Sequence, residues 1–181
     1  MKGLLLLSNN MEELEAIGTY ALLERSGIQI ETATFSRDKR VRAAYGTIIE
    51  ADMYARQINY DEFDFLVIPG GKYVIETIAT DNTVKSVIKG FSDKNKMVAA
   101  ICAAPMFLGE LGLLKDKEYT CFPGCENEAF QGTYLKDKKT HTSGNIITGR
   151  SAGAVHEFAA EIVKFVKGER ASAKLLKDIY Y

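Results

Sequence analysis

Cys102 is the residue of this chain best placed for covalent chemistry. In the segment KMVAAICAAPMF it follows the apolar run Met97–Ile101 and stands three residues before Pro105. The apolar run predicts a buried strand, and proline is favoured in the first turn of a helix, so the thiol is predicted to lie on a tight strand-to-helix turn. Free N–H groups at a helix N-terminus favour a thiolate. We therefore predict a nucleophile-elbow cysteine with a lowered pKa; the alternative is a buried structural cysteine.

A glycine pair ends an earlier apolar run, FDFLVIPGG. Gly70 and Gly71 follow Pro69 at the end of a predicted buried strand, where glycine allows a positive φ and a close approach of a ligand to the backbone. The Gly71 amide beside the Cys102 turn could bind an oxyanion, and we assign Gly70 to the same binding region. The alternative is a tight turn without a role in chemistry.

Glu15 is the carboxylate most suited to proton transfer. It belongs to NNMEELE, whose other two glutamates are explained as first-turn charges of a helix with an asparagine cap. Glu15 instead adjoins Leu14 and shares a helix side with Gly18 and Leu22, which predicts that it points inward. Burial and a nearby thiolate would both raise its pKa, so that a protonated Glu15 could hydrogen-bond to the sulfur. A partly buried glutamate without a function is the alternative.

Short apolar runs that alternate with helical patterns must position these residues. Strands are predicted over Gly3–Leu7, IQIETATF, FDFLVI, KMVAAI and NIITGR, and helices over Asn9–Gly27, Tyr73–Gly90, Pro105–Leu114, SAGAVHEFAAEIVKFVKG and Ala171–Ile179. In the first helix, Met11, Leu14, Ile17, Ala21 and Leu22 are predicted to form the apolar face. This alternation predicts a mostly parallel sheet covered on both faces. Because ligands collect at the carboxyl ends of parallel strands, the three candidate features are predicted to meet at one edge.

Two regions depart from the alternation. The segment SRDKRVRAAYGTIIEAD predicts a small β extension, and its cations Arg37, Lys39, Arg40 and Arg42 are interpreted as a solvated edge rather than an anion site. The segment CFPGCENEAFQGTYLKDKKTHTSG predicts a loop and a hairpin near one end of the sheet.

Composition narrows the class of protein. A length of 181 residues fits one domain over residues 1–181, and a net charge of −1 gives no reason to expect nucleic acid or a membrane as a partner. Three cysteines without a secretory signal predict reduced thiols in the cytoplasm. Cys121 and Cys125 lack a second ligand pair, so no metal is expected, and no cofactor is expected either.

Together these motifs resemble the ThiJ/PfpI superfamily and its DJ-1-like branch. The resemblance is carried by NNMEELE, FDFLVIPGG, AAICAAP and IITGRSAGAVHEFAAEIV, and it runs from about Lys2 to Lys167. It implies a flavodoxin-like three-layer sandwich and a homodimer. It also implies that Cys102 and Glu15 are the catalytic residues, that Gly71 and Ala103 supply the oxyanion amides, and that Arg25 lies near the dimer interface and the site mouth.

Departures from the family pattern limit the implied activity. Many members of the DJ-1-like branch have a histidine just before the proline that corresponds to Pro123, and here Phe122 occupies that place at the site mouth. Neither His141 nor His156 aligns with the missing histidine. The adjacent pair His156 and Glu157, in the segment VHEF, is interpreted as structural. The peptidase branch needs a histidine directly after the cysteine, where this chain has Ala103. Peptidase activity is therefore not expected, and loss of a base predicts weak turnover.

The resemblance implies two classes of function. The first is an enzyme acting on small aldehydes such as methylglyoxal, as a glutathione-independent glyoxalase or a deglycase-like protein. The second is a non-enzymatic redox sensor or stress-response chaperone, in which peroxide oxidises Cys102 and Glu15 hydrogen-bonds to the oxidised sulfur. A further alternative is that Cys121 or Cys125 resolves a sulfenic acid as a disulfide, a pairing that spacing alone leaves open.

Overall fold

The apolar runs form the centre of a seven-stranded sheet in the computed structural model, which describes residues 1–181. The strands are β1 Lys2–Leu7, β2 Gln29–Thr34, β3 Arg40–Arg42, β4 Ile48–Glu50, β5 Met53–Tyr54, β6 Phe65–Ile68, β7 Met97–Ile101, β8 Glu118–Tyr119, β9 Thr133–Tyr134, β10 Thr140–Ser143 and β11 Ile146–Gly149. The sheet order is β10-β11-β7-β6-β1-β2-β5. All neighbours in it are parallel except β10 and β11.

Helices cover both faces of this sheet. They are α1 Thr19–Arg25, α2 Lys72–Thr77, α3 Asn82–Asp93, α4 Pro105–Glu110, α5 Val155–Lys167 and α6 Glu169–Asp178. Helix α5 packs against α1, α6 and β11, whereas α3 packs against β6, β7 and α4. The result is the predicted α/β flavodoxin-like sandwich of three layers. No helix in the structure combines the length and apolar character needed to cross a membrane.

The buried strands explain the continuous apolar runs in the sequence. Every residue of β6, β7 and β11 is buried, because helices cover both sides of these strands. Their hydrophobic side chains belong to one cluster of 48 buried residues. This packed centre fixes the carboxyl ends of β1, β6 and β7 relative to one another, and those are the ends that carry the candidate residues.

The first helix differs from the prediction in start and in buried face. A π-helical turn, Leu14–Gly18, precedes α1, and residues 9–12 of the predicted helix are not helical. Leu14 and Ile17 are 54% and 43% exposed, and Ala21 is exposed too, so these three residues of the predicted apolar face are wrong, whereas Met11 and Leu22 are buried as predicted. The π turn changes the angular step between residues and turns Glu15 and Ala16 toward the core instead.

Two further predictions required correction. The predicted helix Tyr73–Gly90 is two helices, because Asp81 caps α3 by accepting hydrogen bonds from the amides of Thr83 and Val84 at 2.9 and 3.1 Å. The predicted hairpin is formed by β10 with β11 across Gly144, while β8 and β9 pair in parallel. The small β extension was predicted correctly: β3 and β4 form a separate antiparallel pair.

Candidate active site

Cys102 lies in the turn between β7 and α4. Its φ is +66°, in the left-handed region that non-glycine residues seldom adopt, and Pro105 opens α4. The Cys102 amide donates to the Gly149 carbonyl of the neighbouring strand at 2.9 Å, and the Cys102 carbonyl accepts from Phe122 at 2.8 Å. Backbone held in a sparsely populated conformation by its surroundings is typical of functional sites. The side chain is half-buried.

The two glycines that follow β6 allow three chain segments to meet at this turn. A Cβ on Gly70 would lie 2.6 Å from the Cβ of Cys102 and 2.9 Å from the Ala103 amide nitrogen. Gly71 has φ +114°, pairs with Met11 in an isolated bridge, and would place a Cβ 2.5 Å from the Glu12 amide. Both positions therefore require glycine because backbone atoms occupy the space of a side chain.

Glu15 reaches the same place from the π-helical turn. Its side chain is buried, with 1% of the residue exposed, and its Oε2 accepts a hydrogen bond from the Gly70 amide at 2.8 Å. The second oxygen, Oε1, is buried without a partner at full hydrogen-bond geometry. The Glu15 amide in turn donates to Glu12 Oε2 at 2.7 Å, which fixes the start of the turn. The structure thus brings Glu15, Gly70, Gly71 and Cys102 together at the predicted edge.

Burial raises the pKa of Glu15 to about 7, and the Glu12 charge acts in the same direction. The Cys102 side chain and the backbone amides of Gly70 and Ala152 oppose this rise. The carboxyl therefore exchanges a proton near neutral pH, which is the range in which a general acid or base works best.

The Cys102 thiol departs from the expected behaviour. Burial raises its pKa above the ordinary value, and the Glu15 charge and hydrogen bond raise it further. The amides of Ala103 and Gly71 lower it, as predicted, but they do not outweigh burial. The prediction that the pKa of Cys102 is lowered, which would give a preformed thiolate, is therefore wrong. Glu15 is the titratable group that changes the pKa of this sulfur.

The other predicted site residues differ in how close they lie to Cys102 and Glu15. The Gly70 amide is occupied by Glu15, so Gly70 does not supply an oxyanion donor and acts instead by leaving room for Cys102. The Gly71 and Ala103 amides both act on the sulfur. Phe122 is 46% exposed and is joined to Cys102 through the backbone. Arg25 lies at the exposed end of α1, about 15 Å along a helix from Glu15, so its interface role stays a prediction.

Neither histidine acts on Cys102 or Glu15. His141 pairs with Glu118 at 3.4 Å, and His156 stacks on Tyr181 with ring centroids 5.0 Å apart. Glu157 binds Lys139 and Tyr181, which agrees with a structural interpretation of the HisGlu pair.

Cys121 and Cys125 are buried and free. Burial raises the pKa of Cys121 to about 12, and the neighbouring Cys125 adds to that rise. Neither sulfur is among the groups that act on Cys102. A disulfide to Cys102 stays a prediction.

One part of the site was missed in the sequence. Ala152 follows β11, and its backbone amide opposes the rise in the pKa of the Glu15 carboxyl. The signal was present, because the segment RSAG follows a buried strand next to β7 and so reaches the same edge of the sheet.

Comparison with known proteins shows what this chain is similar to in sequence and in fold. Residues 1–165 match the model of the DJ-1/PfpI family. The chain is 28% identical to protein dj-1beta of Drosophila melanogaster over 178 residues, covering 98% of this chain and 95% of the relative. It is 30% identical over 168 residues to the protein named deglycase PfpI of Pyrococcus furiosus, covering 92% and 100%. The crystal structure of Drosophila DJ-1beta superposes with a TM-score of 0.90 over 99% of this chain and 97% of the other, at 28% identity.

Proposed function

The chain belongs to the DJ-1/PfpI family, and from that premise we propose that it converts small 2-oxoaldehydes such as methylglyoxal to 2-hydroxy acids without glutathione. The proposal is supported chiefly by one observation: a buried carboxyl group with a pKa of about 7 stands beside the Cys102 thiol. Relatives about 30% identical that are named deglycases agree with carbonyl chemistry at this site.

The first step is addition of sulfur to the aldehyde. Ionised Glu15 takes the thiol proton as the Cys102 sulfur bonds to the aldehyde carbon, so a preformed thiolate is not required. The carbonyl oxygen gains the electron pair of the broken π bond, and the Gly71 and Ala103 amides stabilise its charge. Protonated Glu15 then returns the proton to that oxygen and leaves a neutral hemithioacetal.

The second step moves hydrogen between the two carbons of the substrate. Glu15 moves the proton from the former aldehyde carbon to the oxygen of the adjacent carbonyl, which gives an enediol. It then moves the proton of the hydroxyl on the sulfur-bearing carbon to the adjacent carbon, which gives a 2-hydroxy thioester of Cys102. Water attacks this thioester, the carbon–sulfur bond breaks, and the thiol is regenerated. The net reaction adds one water to the oxoaldehyde, with no external oxidant or reductant.

The activity is expected to be weak. Glu15 must perform every proton transfer, since Phe122 occupies the place of the usual histidine. General acid–base assistance by one group is typically worth about 10²–10⁴-fold in rate.

A direct test measures glutathione-free loss of methylglyoxal and formation of lactate. We expect Cys102→Ser to be inactive and Glu15→Gln to be reduced at least about 10²-fold. Glu62→Gln is the matched control, because Glu62 is an exposed carboxylate that precedes β6 at the opposite edge of the sheet. Equal turnover by wild type and Cys102→Ser would exclude the mechanism.

Peroxide sensing is a second candidate for the same cysteine. The half-buried Cys102 sulfur lies beside the Glu15 carboxyl and the Gly71 and Ala103 amides, and these donors could hold the oxygens of a sulfinate. Intact mass after stoichiometric peroxide separates the outcomes. A gain of two oxygens at Cys102 supports sensing, loss of two hydrogens supports a disulfide with Cys121 or Cys125, and no change excludes both.

We also propose that two copies of the chain associate through the exposed side of the π-helical turn. Leu14 and Ile17 present apolar side chains to solvent there, and Ile17 lines a cavity of about 290 Å³ with Ile49 of β4. Ile48, the neighbouring residue, is 56% exposed. Burial of these side chains against a second copy would remove apolar area from water close to the segment that carries Glu15.

A further inference from the structure

A polar cavity lies, like Cys102, at the carboxyl ends of the parallel strands, but it is beside β2 and β5 rather than beside β7. It has a volume of about 450 Å³ and is lined by the end of β2, the segment that follows it, and the segment around β5. β2 is the third strand from β7 in the sheet, so with a strand spacing of about 4.8 Å the two sites are about 14 Å apart. The cavity is therefore separate from the candidate active site.

Two arginines line this cavity from different segments. Arg37 follows β2 and Arg56 follows β5, and the parallel pairing of Thr34 with Tyr54 brings the two segments side by side. Neither guanidinium has an ion pair or a hydrogen bond within the chain. A guanidinium presents a planar set of donors that matches a phosphate or a carboxylate. Two of them line this cavity without a carboxylate partner, and they make it a positive site that is open to an anion.

Hydroxyl groups complete the lining. Thr34 is 1% exposed and its Oγ1 accepts from the Ser36 amide at 3.2 Å, which fixes the loop. Ser36 Oγ accepts from Asn9 Nδ2 at 3.2 Å, which leaves the Ser36 hydroxyl hydrogen free to donate. Tyr54 contributes a third hydroxyl to the lining. Phosphate oxygens accept from donors of both kinds.

An adjoining cavity extends this site. It has a volume of about 490 Å³, and it shares Phe35 and Arg56 with the first cavity. Its other lining groups include the ring of Tyr60 and the polar side chains of Asn82 and Ser86. Aromatic rings beside polar groups suit the organic part of a ligand whose anionic end lies on the arginines.

From these contacts we infer that Arg37 and Arg56 bind the phosphate group of a small phosphate monoester, with its organic part in the adjoining cavity against Phe35. The sequence analysis interpreted Arg37 and Arg40 alike as part of a solvated edge. In the structure Arg37 lines a cavity together with Arg56, whereas Arg40 lies outside that cavity on β3. The inference does not depend on chemistry at Cys102.

Calorimetric titration of the whole protein at low ionic strength tests this inference, with inorganic phosphate, ribose 5-phosphate, adenosine 5′-monophosphate and adenosine as separate probes. We expect the phosphate esters to bind, adenosine alone not to bind, and the nucleotide to bind more tightly than inorganic phosphate. Arg37→Ala and Arg56→Ala should each weaken binding about tenfold or more, since hydrogen bonds to charged groups are lost.

Arg40→Ala is the matched control, because it removes one exposed positive charge from the neighbouring strand. It should change affinity less than twofold. Binding unaffected by Arg37→Ala and Arg56→Ala, or equally weakened by Arg40→Ala, would overturn the site. Equal affinity for inorganic phosphate and the nucleotide would overturn the role of the adjoining cavity. Both arginines are exposed, so the variants should remain folded, and no carbonyl substrate is present to couple the result to turnover.

Discussion

Gly70 and Cys102 are so close that a Cβ added to Gly70 would stand 2.6 Å from the Cβ of Cys102. The same glycine donates its amide to Glu15 at 2.8 Å. Gly70 thus positions both groups. Its lack of a side chain leaves room for Cys102, and its amide holds the Glu15 carboxyl.

The first prediction concerns this close packing. Gly70→Ala should displace the Cys102 turn, destabilise the protein by about 1–3 kcal/mol as overpacking does, and reduce methylglyoxal turnover to near background. Urea unfolding and the turnover assay measure the two effects. Gly90→Ala is the matched control: Gly90 lies in α3 with no atom within 4 Å of an added Cβ. That change should raise stability by about 0.5–1 kcal/mol. A wild-type level of activity in Gly70→Ala would show that the close contact does not position the thiol.

The second prediction concerns stability against pH. The pKa of Glu15 is raised from 4.5 to about 7 on folding, so the folded state holds a proton that the unfolded state releases between these values. The contribution of Glu15 is therefore fully favourable below about pH 4.5 and is lost as pH rises through about 7. The free energy of unfolding of wild type relative to Glu15→Gln should fall by about 3 kcal/mol over this range.

Urea unfolding of both proteins at several pH values measures this difference, since the other titratable groups cancel. A difference for Glu15→Gln that rises with pH would mean that the carboxylate is stabilised rather than penalised by its surroundings.

The third prediction concerns the pH dependence of turnover. If ionised Glu15 is the base that takes the thiol proton, kcat/KM should increase as pH rises through about 7 and then level off. A pH profile with methylglyoxal locates the inflection. Residual activity of Glu15→Gln should lack it, and a profile that falls through pH 7 would assign the reactive form to protonated Glu15.

The fourth prediction concerns the thiol itself. The charge and hydrogen bond of Glu15 help to raise the pKa of Cys102, so Glu15→Gln should form the thiolate at a lower pH than wild type. Ultraviolet absorbance of the thiolate during a pH titration measures the change, with Cys102→Ser subtracted to remove Cys121 and Cys125. Thiolate that appears at a higher pH in Glu15→Gln would instead identify the wild-type carboxyl as a proton donor to sulfur.

The fifth prediction concerns association of two copies. Leu14→Glu combined with Ile17→Glu should convert a dimer to a monomer, because charged side chains would replace the exposed apolar ones at the proposed interface. Sedimentation equilibrium measures the mass. Ile75→Glu is the control, since Ile75 is 60% exposed on α2. A monomeric wild type would exclude the proposal, and a dimer that survives the double change would move the interface elsewhere.

The meeting of Cys102, Gly71 and Glu15 could be predicted from the sequence because it follows from connectivity. Each residue lies in the segment that follows the carboxyl end of a buried parallel strand, and those ends share one edge of a sheet. The sandwich follows from the same alternation of apolar runs and helical patterns. These features depend on pattern and order, which a sequence displays directly.

Other features depend on distances that the sequence does not display. The exposed Leu14 and Ile17 follow from a π-helical turn, and a pattern with a period of 3.6 residues cannot reveal it. The raised pKa of Cys102 depends on how completely the surroundings exclude water, whereas the helix-end argument considered only the amides. By contrast, the break before α3 was visible in the sequence, since Asp81 followed by Asn82 and Thr83 is a helix-start pattern.

The turn Leu14–Gly18 implies that part of the chemistry is encoded in the number of residues rather than in their identity. A π turn holds one residue more than the α turn it replaces. With α1 held in place by its packing, deleting a single residue between Glu15 and α1 would restore ordinary helical spacing and rotate Glu15 relative to α1 by about 100°. The glutamate would still be present in the chain, yet its carboxyl would point away from the Gly70 amide. The loss of one residue would then abolish the proposed activity although the fold remained.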